Sequence, residues 1–211
     1  MNVASDKIQA LVDLHGQRKS AIQARLLDFY HVPTSEYFYE LAYCLMTPQS
    51  SAVHADSVVI HLRAGSFFET GFNPESILRK KEHYIRFHRI KTRYLLETRL
   101  QFATIFSALS NGHSASSVRD WLVENVKGLG YKEATHFLRN IGRNDGLAIL
   151  DRHILRNLRR YGAIHKIPSS LSKKQYLSIE QRFKEFAETI GIPLDELDLL
   201  FWSMETGEIR K

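Results

Sequence analysis

Apolar residues recur along this chain at three- and four-residue spacings and almost nowhere alternate, a pattern that predicts helices and leaves strand signals nearly absent. The clearest helix opens at Ser172-Lys-Lys-Gln175, a capping-box pattern, and carries Tyr176, Ile179, Phe183, Phe186, Ala187 and Ile190 on one face before stopping at Gly191. A second follows at once. Pro193 suits its first turn, Asp195 and Glu196 favour the positive end of its dipole, Leu197, Leu200, Phe201 and Met204 form its buried stripe, and Gly207 ends it. Upstream, Asn73-Pro74 reads as an N-cap with proline at the first helical position. Thr47-Pro48-Gln49 reads as a turn between two helices, because the residue before a proline avoids helical conformations. The predicted fold class is all-α.

Two further stripes lie close together. Val118, Trp121, Leu122 and Val126 form one, Ala134, Phe137, Leu138 and Ile141 the other, and Lys127-Gly128-Leu129-Gly130 separates them as a tight hairpin between two helices. Glycines at 128 and 130 permit left-handed backbone and carry no Cβ, so N–H groups at the start of the second helix can converge on an anion such as a DNA phosphate. On that helix Lys132 projects opposite the apolar stripe, sharing its outward side with His136 and Arg139. Nineteen residues beyond Lys132, the run Leu147-Ala148-Ile149-Leu150 ends in Asp151, suited to cap a helix beginning Arg152-His153-Ile154-Leu155. Taken singly, an outward lysine is an ordinary solvated side chain and a capping aspartate is common.

Composition narrows the classes. At 211 residues the chain is one large domain or two small interlocked lobes, and 44% hydrophobic with 25% charged residues describes a globular chain. The longest apolar run, Leu41 to Met46, has six residues against the roughly 20 needed to cross a bilayer. Charges throughout residues 1–19 break any signal-peptide core, so the expected location is the cytoplasm. The single cysteine, Cys44, excludes an intrachain disulfide and a cysteine-ligated cluster, and its apolar neighbours favour a small buried hydrophobe over a nucleophile. No metal and no cofactor are expected: Glu133-Ala-Thr-His136 has the spacing of carboxylate-bridged metal bundles but no second copy, and Gly128-Leu-Gly130 lacks the third glycine of a dinucleotide fingerprint.

The 29 Lys+Arg against 23 Asp+Glu point to nucleic acid as partner. Eight of the basic residues fall between Arg79 and Arg99 (with Lys80, Lys81, Arg86, Arg89, Lys91 and Arg93), opposed only by Glu82 and Glu97. Interleaved with Tyr84, Phe87, His88 and Tyr94, this segment reads either as a surface for a phosphate backbone with aromatics to probe bases, or as a solvated face over core aromatics.

A Lys-Gly-Leu-Gly hairpin, a lysine two residues later and an aspartate nineteen residues beyond it resemble the helix-hairpin-helix DNA glycosylase superfamily. More narrowly, Gly128-Leu-Gly-Tyr-Lys-Glu-Ala-Thr-His-Phe-Leu-Arg-Asn-Ile-Gly142 with Ile149-Leu-Asp-Arg-His-Ile-Leu155 resembles the small prokaryotic type-2 branch of 8-oxoguanine DNA glycosylase/AP lyases. Met46-Thr-Pro-Gln-Ser-Ser-Ala52, Arg86-Phe-His-Arg-Ile-Lys-Thr-Arg-Tyr94 and the end Phe201-Trp-Ser-Met-Glu-Thr-Gly-Glu-Ile-Arg-Lys211 are similar to further segments of that branch. The lack of four cysteines separates the chain from iron–sulfur relatives, and its length leaves no room for the extra β-domain of the larger type-1 enzymes.

The resemblance implies a two-lobed all-α fold without an iron–sulfur cluster, with a central lobe over residues 36–150 and a second lobe from residues 1–35 plus 151–211. It implies a monomer acting on duplex DNA that contains 8-oxoguanine, with Lys132 as nucleophile and Asp151 as its partner across the cleft between the lobes. Lys127, Gly128, Leu129 and Gly130 would hold DNA phosphate. A lysine in water is protonated at neutral pH, so the chemistry requires desolvation or cationic neighbours, for which Lys127 and Arg139 are candidates. For the base, the resemblance nominates Trp202 as an aromatic wall and Lys211 as a polar terminus, with Phe87 for stacking and Gln49 near the opened pair; core or loop roles stand as the alternatives for Trp202, Phe87 and Gln49. Two other readings remain open: a non-catalytic helix-hairpin-helix binding module, and a glycosylase of the same fold for another oxidised base.

Overall fold

The structure is a computed structural model that describes residues 3–209. Among the described residues there are α-helices and short 3-10 turns but no strand: α1 (Val3–Tyr30), α2 (Tyr37–Met46), α3 (Ala52–Ala64), α4 (Phe67–Thr70), α5 (Glu75–Leu78), α6 (His88–Leu100), α7 (Phe102–Ser110), α8 (Ala115–Asn125), α9 (Tyr131–Asn140), α10 (Arg152–Arg160), α11 (Lys173–Ile190) and α12 (Leu194–Thr206). None of these helices is long and apolar enough to cross a membrane. The chain divides into two compact units, one running from Val32 to Ile141 and the other made from the chain's two ends, up to His31 and from Gly142 onward.

The Val32–Ile141 unit is built around α2, buried from Phe38 to Met46. A helix apolar on every side has to be enclosed by others. Here α3, α6 and α9 pack against it. Phe38 anchors one end among Phe67, Phe68 and Phe102, with ring centroids 4.8–5.9 Å away. The one carboxylate in α2, Glu40, accepts a hydrogen bond from Asn140 Nδ2 of α9 at 3.0 Å, a polar tie between the two helices inside this core. The Asn73 side chain accepts the Glu75 N–H at 2.9 Å, but Asn73 is not the N-cap that the sequence pattern predicts: Pro74 holds that position and the helical turn begins at Glu75, one residue later.

In the unit formed by the chain's ends, α1 packs along α12. Glu196 ties them, contacting His15 Nε2 at 2.6 Å and Gln23 Nε2 at 2.9 Å, while Arg18 donates to Ser203 Oγ at 2.7 Å. Phe201 stacks between Phe183 of α11 and Tyr161 at the end of α10, with planes within 11° and 6° of parallel. The capping box at Ser172 forms as the sequence predicts: Ser172 Oγ accepts from Gln175 N–H and Gln175 Oε1 accepts from Ser172 N–H. Gly191 and Gly207 take left-handed conformations where α11 and α12 end. Pro193 does not enter the first turn of α12. It is the capping residue, with ψ 141°, and Leu194 begins the helix.

Residues 142–150 count with the terminal unit, not with the central lobe to which the sequence reading assigned them. The extended Leu147–Leu150 run explains this. Ala148 N–H donates to the buried Glu180 carboxylate at 2.8 Å, and Tyr176 OH donates to Ala148 O at 2.6 Å while accepting from Leu150 N–H at 3.2 Å. A buried extended segment has to find backbone partners, and α11 supplies them.

Candidate active site

The hairpin is cross-braced from both sides. Arg119 of α8, fully buried, donates to Thr135 Oγ1 of α9 at 3.3 Å and lies 5.1 Å over the Tyr131 ring, whose hydroxyl donates to Asp120 at 2.7 Å. Leu129 is buried at the tip. Gly128 has φ 92°, and a Cβ there would lie 2.5 Å from Tyr94 Cδ2, so both backbone conformation and space demand glycine. Gly130 differs from the expectation of left-handed backbone. Its φ of −98° with ψ −177° is extended, and the position caps α9. Its N–H donates to Glu133 Oε2 at 3.3 Å, so a carboxylate already occupies one donor of the predicted anion nest.

Lys132 sits in the first turn of α9 with its side chain 25% exposed, and its Nζ lies 3.7 Å from Glu133 Oε1. The other two residues assigned to its outward face are not outward: His136 and Arg139 are buried, at 7% and 6%. The helix is enclosed on that side by α2, where the Tyr43 ring meets His136 edge-on at 5.6 Å. Of the proposed cationic neighbours, Lys127 is largely exposed and pairs with Glu97 at 3.2 Å. A cation within electrostatic reach of Lys132 is Lys91, 5% exposed in α6. Burial lowers the Lys91 pKa from the usual 10.5 to about 8, with Glu133 opposing the shift and Lys132 adding to it.

Lys91 donates to Met46 O and Pro48 O, both at 2.7 Å, and to Ser50 Oγ at 3.1 Å. Sequence reasoning counted it as one basic residue in a run of eight. The missed signal is its register: Lys91, Leu95 and Thr98 share one helical stripe, and all are buried. Arg99 is another structural member of that run, donating to Phe68 O and Glu69 O at 2.7 Å. The remaining six, Arg79, Lys80, Lys81, Arg86, Arg89 and Arg93, are exposed.

Gln49 and Phe87 are both exposed, and both have positive φ, 54° and 60°. Left-handed backbone at such residues is strained by about 1–3 kcal/mol and persists only where surroundings impose it, which happens most often at functional sites. The Arg86 guanidinium lies 4.8 Å over the Phe87 ring. In the terminal unit, Asp151 caps α10 as predicted: Oδ1 accepts from His153 N–H at 2.7 Å and Ile154 N–H at 2.8 Å, while the residue stays half-buried. Trp202 is half-buried, because its neighbour Phe201 takes the core position. Lys211 lies outside the described residues.

An all-helical chain in which a glycine hairpin delivers a half-buried lysine has the features of the helix-hairpin-helix class. A family model described as 8-oxoguanine DNA glycosylase matches residues 22–192. The chain is 34% identical over 207 residues to the 8-oxoguanine DNA glycosylase/AP lyase of Fusobacterium nucleatum, covering 94% of each chain. It is 37% identical over 208 residues to that of Korarchaeum cryptofilum, covering 98% of each. The crystal structure of Methanocaldococcus jannaschii 8-oxoguanine glycosylase/lyase in complex with a 15mer DNA containing 8-oxoguanine matches with a TM-score of 0.86 at 34% identity, over 97% of this chain and 99% of that one. The chain belongs to the 8-oxoguanine DNA glycosylase family.

Proposed function

We propose that Lys132 is the nucleophile, and Asp151 the charge-stabilising carboxylate, of a bifunctional reaction. The protein is an 8-oxoguanine DNA glycosylase/AP lyase, and DNA carrying the oxidised base is its substrate. The base has to leave the stack before its glycosidic bond can be reached. The Lys132 amine lone pair then attacks C1′, the bond from C1′ to the base breaks, and the base departs with a proton. Opening of the sugar gives a Schiff base. Loss of a proton from C2′ expels the 3′ phosphate by β-elimination and leaves a nicked strand. The part proposed for Asp151 is to stabilise the positive charge that develops on the sugar; its Oδ1 accepts from two helix N–H groups, which fixes the carboxylate.

The observation that carries this reading is the placement of Lys132: a half-buried lysine in the first turn of α9, directly after the Gly128 hairpin. Lys127, Gly128, Leu129 and Gly130 follow the phosphate backbone, and the exposed arginines and lysines of residues 79–93 extend that contact. Trp202, Phe87, Gln49 and Lys211 read the base and the opened pair. The enzyme works as a monomer in the cytoplasm, without metal or cofactor. Incubation with an 8-oxoguanine duplex should release the free base and nick the strand, and Lys132→Gln should abolish both while retaining DNA affinity. Release of a different oxidised base, or binding with no turnover, would contradict the reading.

A further inference from the structure

Three donors of one buried ammonium converge on a single turn. Met46 is the last residue of α2, so its carbonyl is one of those a helix end leaves unpaired, and Pro48 O and Ser50 Oγ flank Gln49 on either side. The positive φ of Gln49 therefore sits inside a segment held at three points by Lys91. The same lysine reaches the second strained residue through its backbone: Lys91 N–H donates to Phe87 O at 3.0 Å in the first turn of α6. A third connection closes the set. Ser50 Oγ, besides receiving Lys91, accepts the Arg86 N–H at 3.0 Å. Two exposed residues with left-handed backbone, distant in sequence, are thus locked to each other through one buried side chain and one hydroxyl.

Stability alone does not account for a cation here. Burial of an ammonium is costly, and apolar side chains of similar volume commonly serve a core as well or better. An ammonium supplies three directed donors to a turn that ends in oxygen acceptors, which no apolar residue can do.

We infer that Lys91 is a positioning residue for base extrusion: it holds Gln49 and Phe87 in fixed register, so that one occupies the space of the opened pair while the other meets the base. This rests on the proposed glycosylase reading. Lys91 acts through these two residues and takes no part in bond making.

The test compares two substrates under single-turnover conditions: a duplex with 8-oxoguanine, which must be unstacked, and the same duplex with a preformed abasic site, which has no base to extrude. Active enzyme is first counted by borohydride trapping on the abasic duplex. Lys91→Met should slow excision at least about tenfold more than it slows strand cleavage at the abasic site, any loss common to the two substrates reporting the missing charge near Lys132. Gln49→Ala should show the same split, and the Lys91→Met/Gln49→Ala double variant should be little slower than the slower single, because both remove one device. Ser50→Ala, which leaves Lys91 its two carbonyls, should give a smaller loss of the same kind and covers the case in which Lys91→Met fails to fold. Equal losses on both substrates, or fully multiplicative effects in the double variant, would overturn the role of Lys91 while leaving the glycosylase intact. Wild-type protein that neither excises nor traps would instead remove the reading on which the role depends.

Discussion

Glu133 holds Lys132 at 3.7 Å through Oε1 while its other oxygen accepts the Gly130 N–H at 3.3 Å. One carboxylate thus caps α9 and fixes the amine that the proposed chemistry uses. It links the helix start to the reaction, and it is separable from the reaction by mutation.

Glu133→Ala loses the cap and the ion pair together and should destabilise the protein by about 1 kcal/mol. Glu133→Gln keeps an acceptor for Gly130 and should cost less than half of that. Urea unfolding of the three proteins measures the difference. Equal losses in both variants would show that the cap contributes nothing.

Asp151→Asn preserves a side-chain oxygen for the His153 and Ile154 N–H groups, and asparagine caps helices about as well as aspartate. Its unfolding free energy should fall within about 0.5 kcal/mol of wild type, whereas Asp151→Ala should lose about 1 kcal/mol. Excision by Asp151→Asn should nevertheless fall by about a hundredfold or more, since the negative charge is gone. Full activity in that variant would reduce Asp151 to a cap.

Gly128→Ala combines φ 92° with a Cβ 2.5 Å from the Tyr94 ring. It should destabilise by at least about 2 kcal/mol. Gly130→Ala, in extended backbone with only the Glu133 carboxylate 3.1 Å away, should be milder. Thermal unfolding of the two variants gives the ordering, and reversal would contradict the hairpin geometry.

How far the sequence disclosed this arrangement depends on what each residue needed. Helix ends were legible where a local side chain makes the cap, as at Ser172 and Asp151, because capping chemistry acts over three residues. The hairpin was legible because its two glycines mark the break between helical stripes locally. Burial of polar residues was not. His136 and Arg139 project opposite the apolar stripe of α9, yet both are buried, His136 with its ring edge-on to Tyr43 of α2. Lys91 looked like a phosphate contact because charge within a basic run masks register, and its acceptors lie more than forty residues away. The strain at Gln49 and Phe87 had no sequence signal, since neither is a residue that favours left-handed backbone.

Lys91 also sets a pH dependence. With its folded pKa lowered to about 8 from 10.5, both folded and unfolded chains carry the charge at lower pH, and the cost of burying it is fully present there. Between those values the folded chain sheds its proton first, the unfolded chain binds more, and stability rises with pH. Glu133 and Lys132 are the charged groups that face it. The stability of wild type relative to Lys91→Met should therefore increase from about pH 8 toward 10.5, measured by urea unfolding of both proteins across that range. A constant difference would place the ammonium outside the buried site.

The central claim is a covalent bond between Lys132 and the sugar of the excised base. Borohydride added during the reaction with a duplex containing one 8-oxoguanine should trap a protein–DNA adduct, and peptide mapping should place the linkage on Lys132, with none formed by Lys132→Gln. An adduct mapped to another residue, or an undiminished adduct in the variant, would contradict the assignment of the nucleophile.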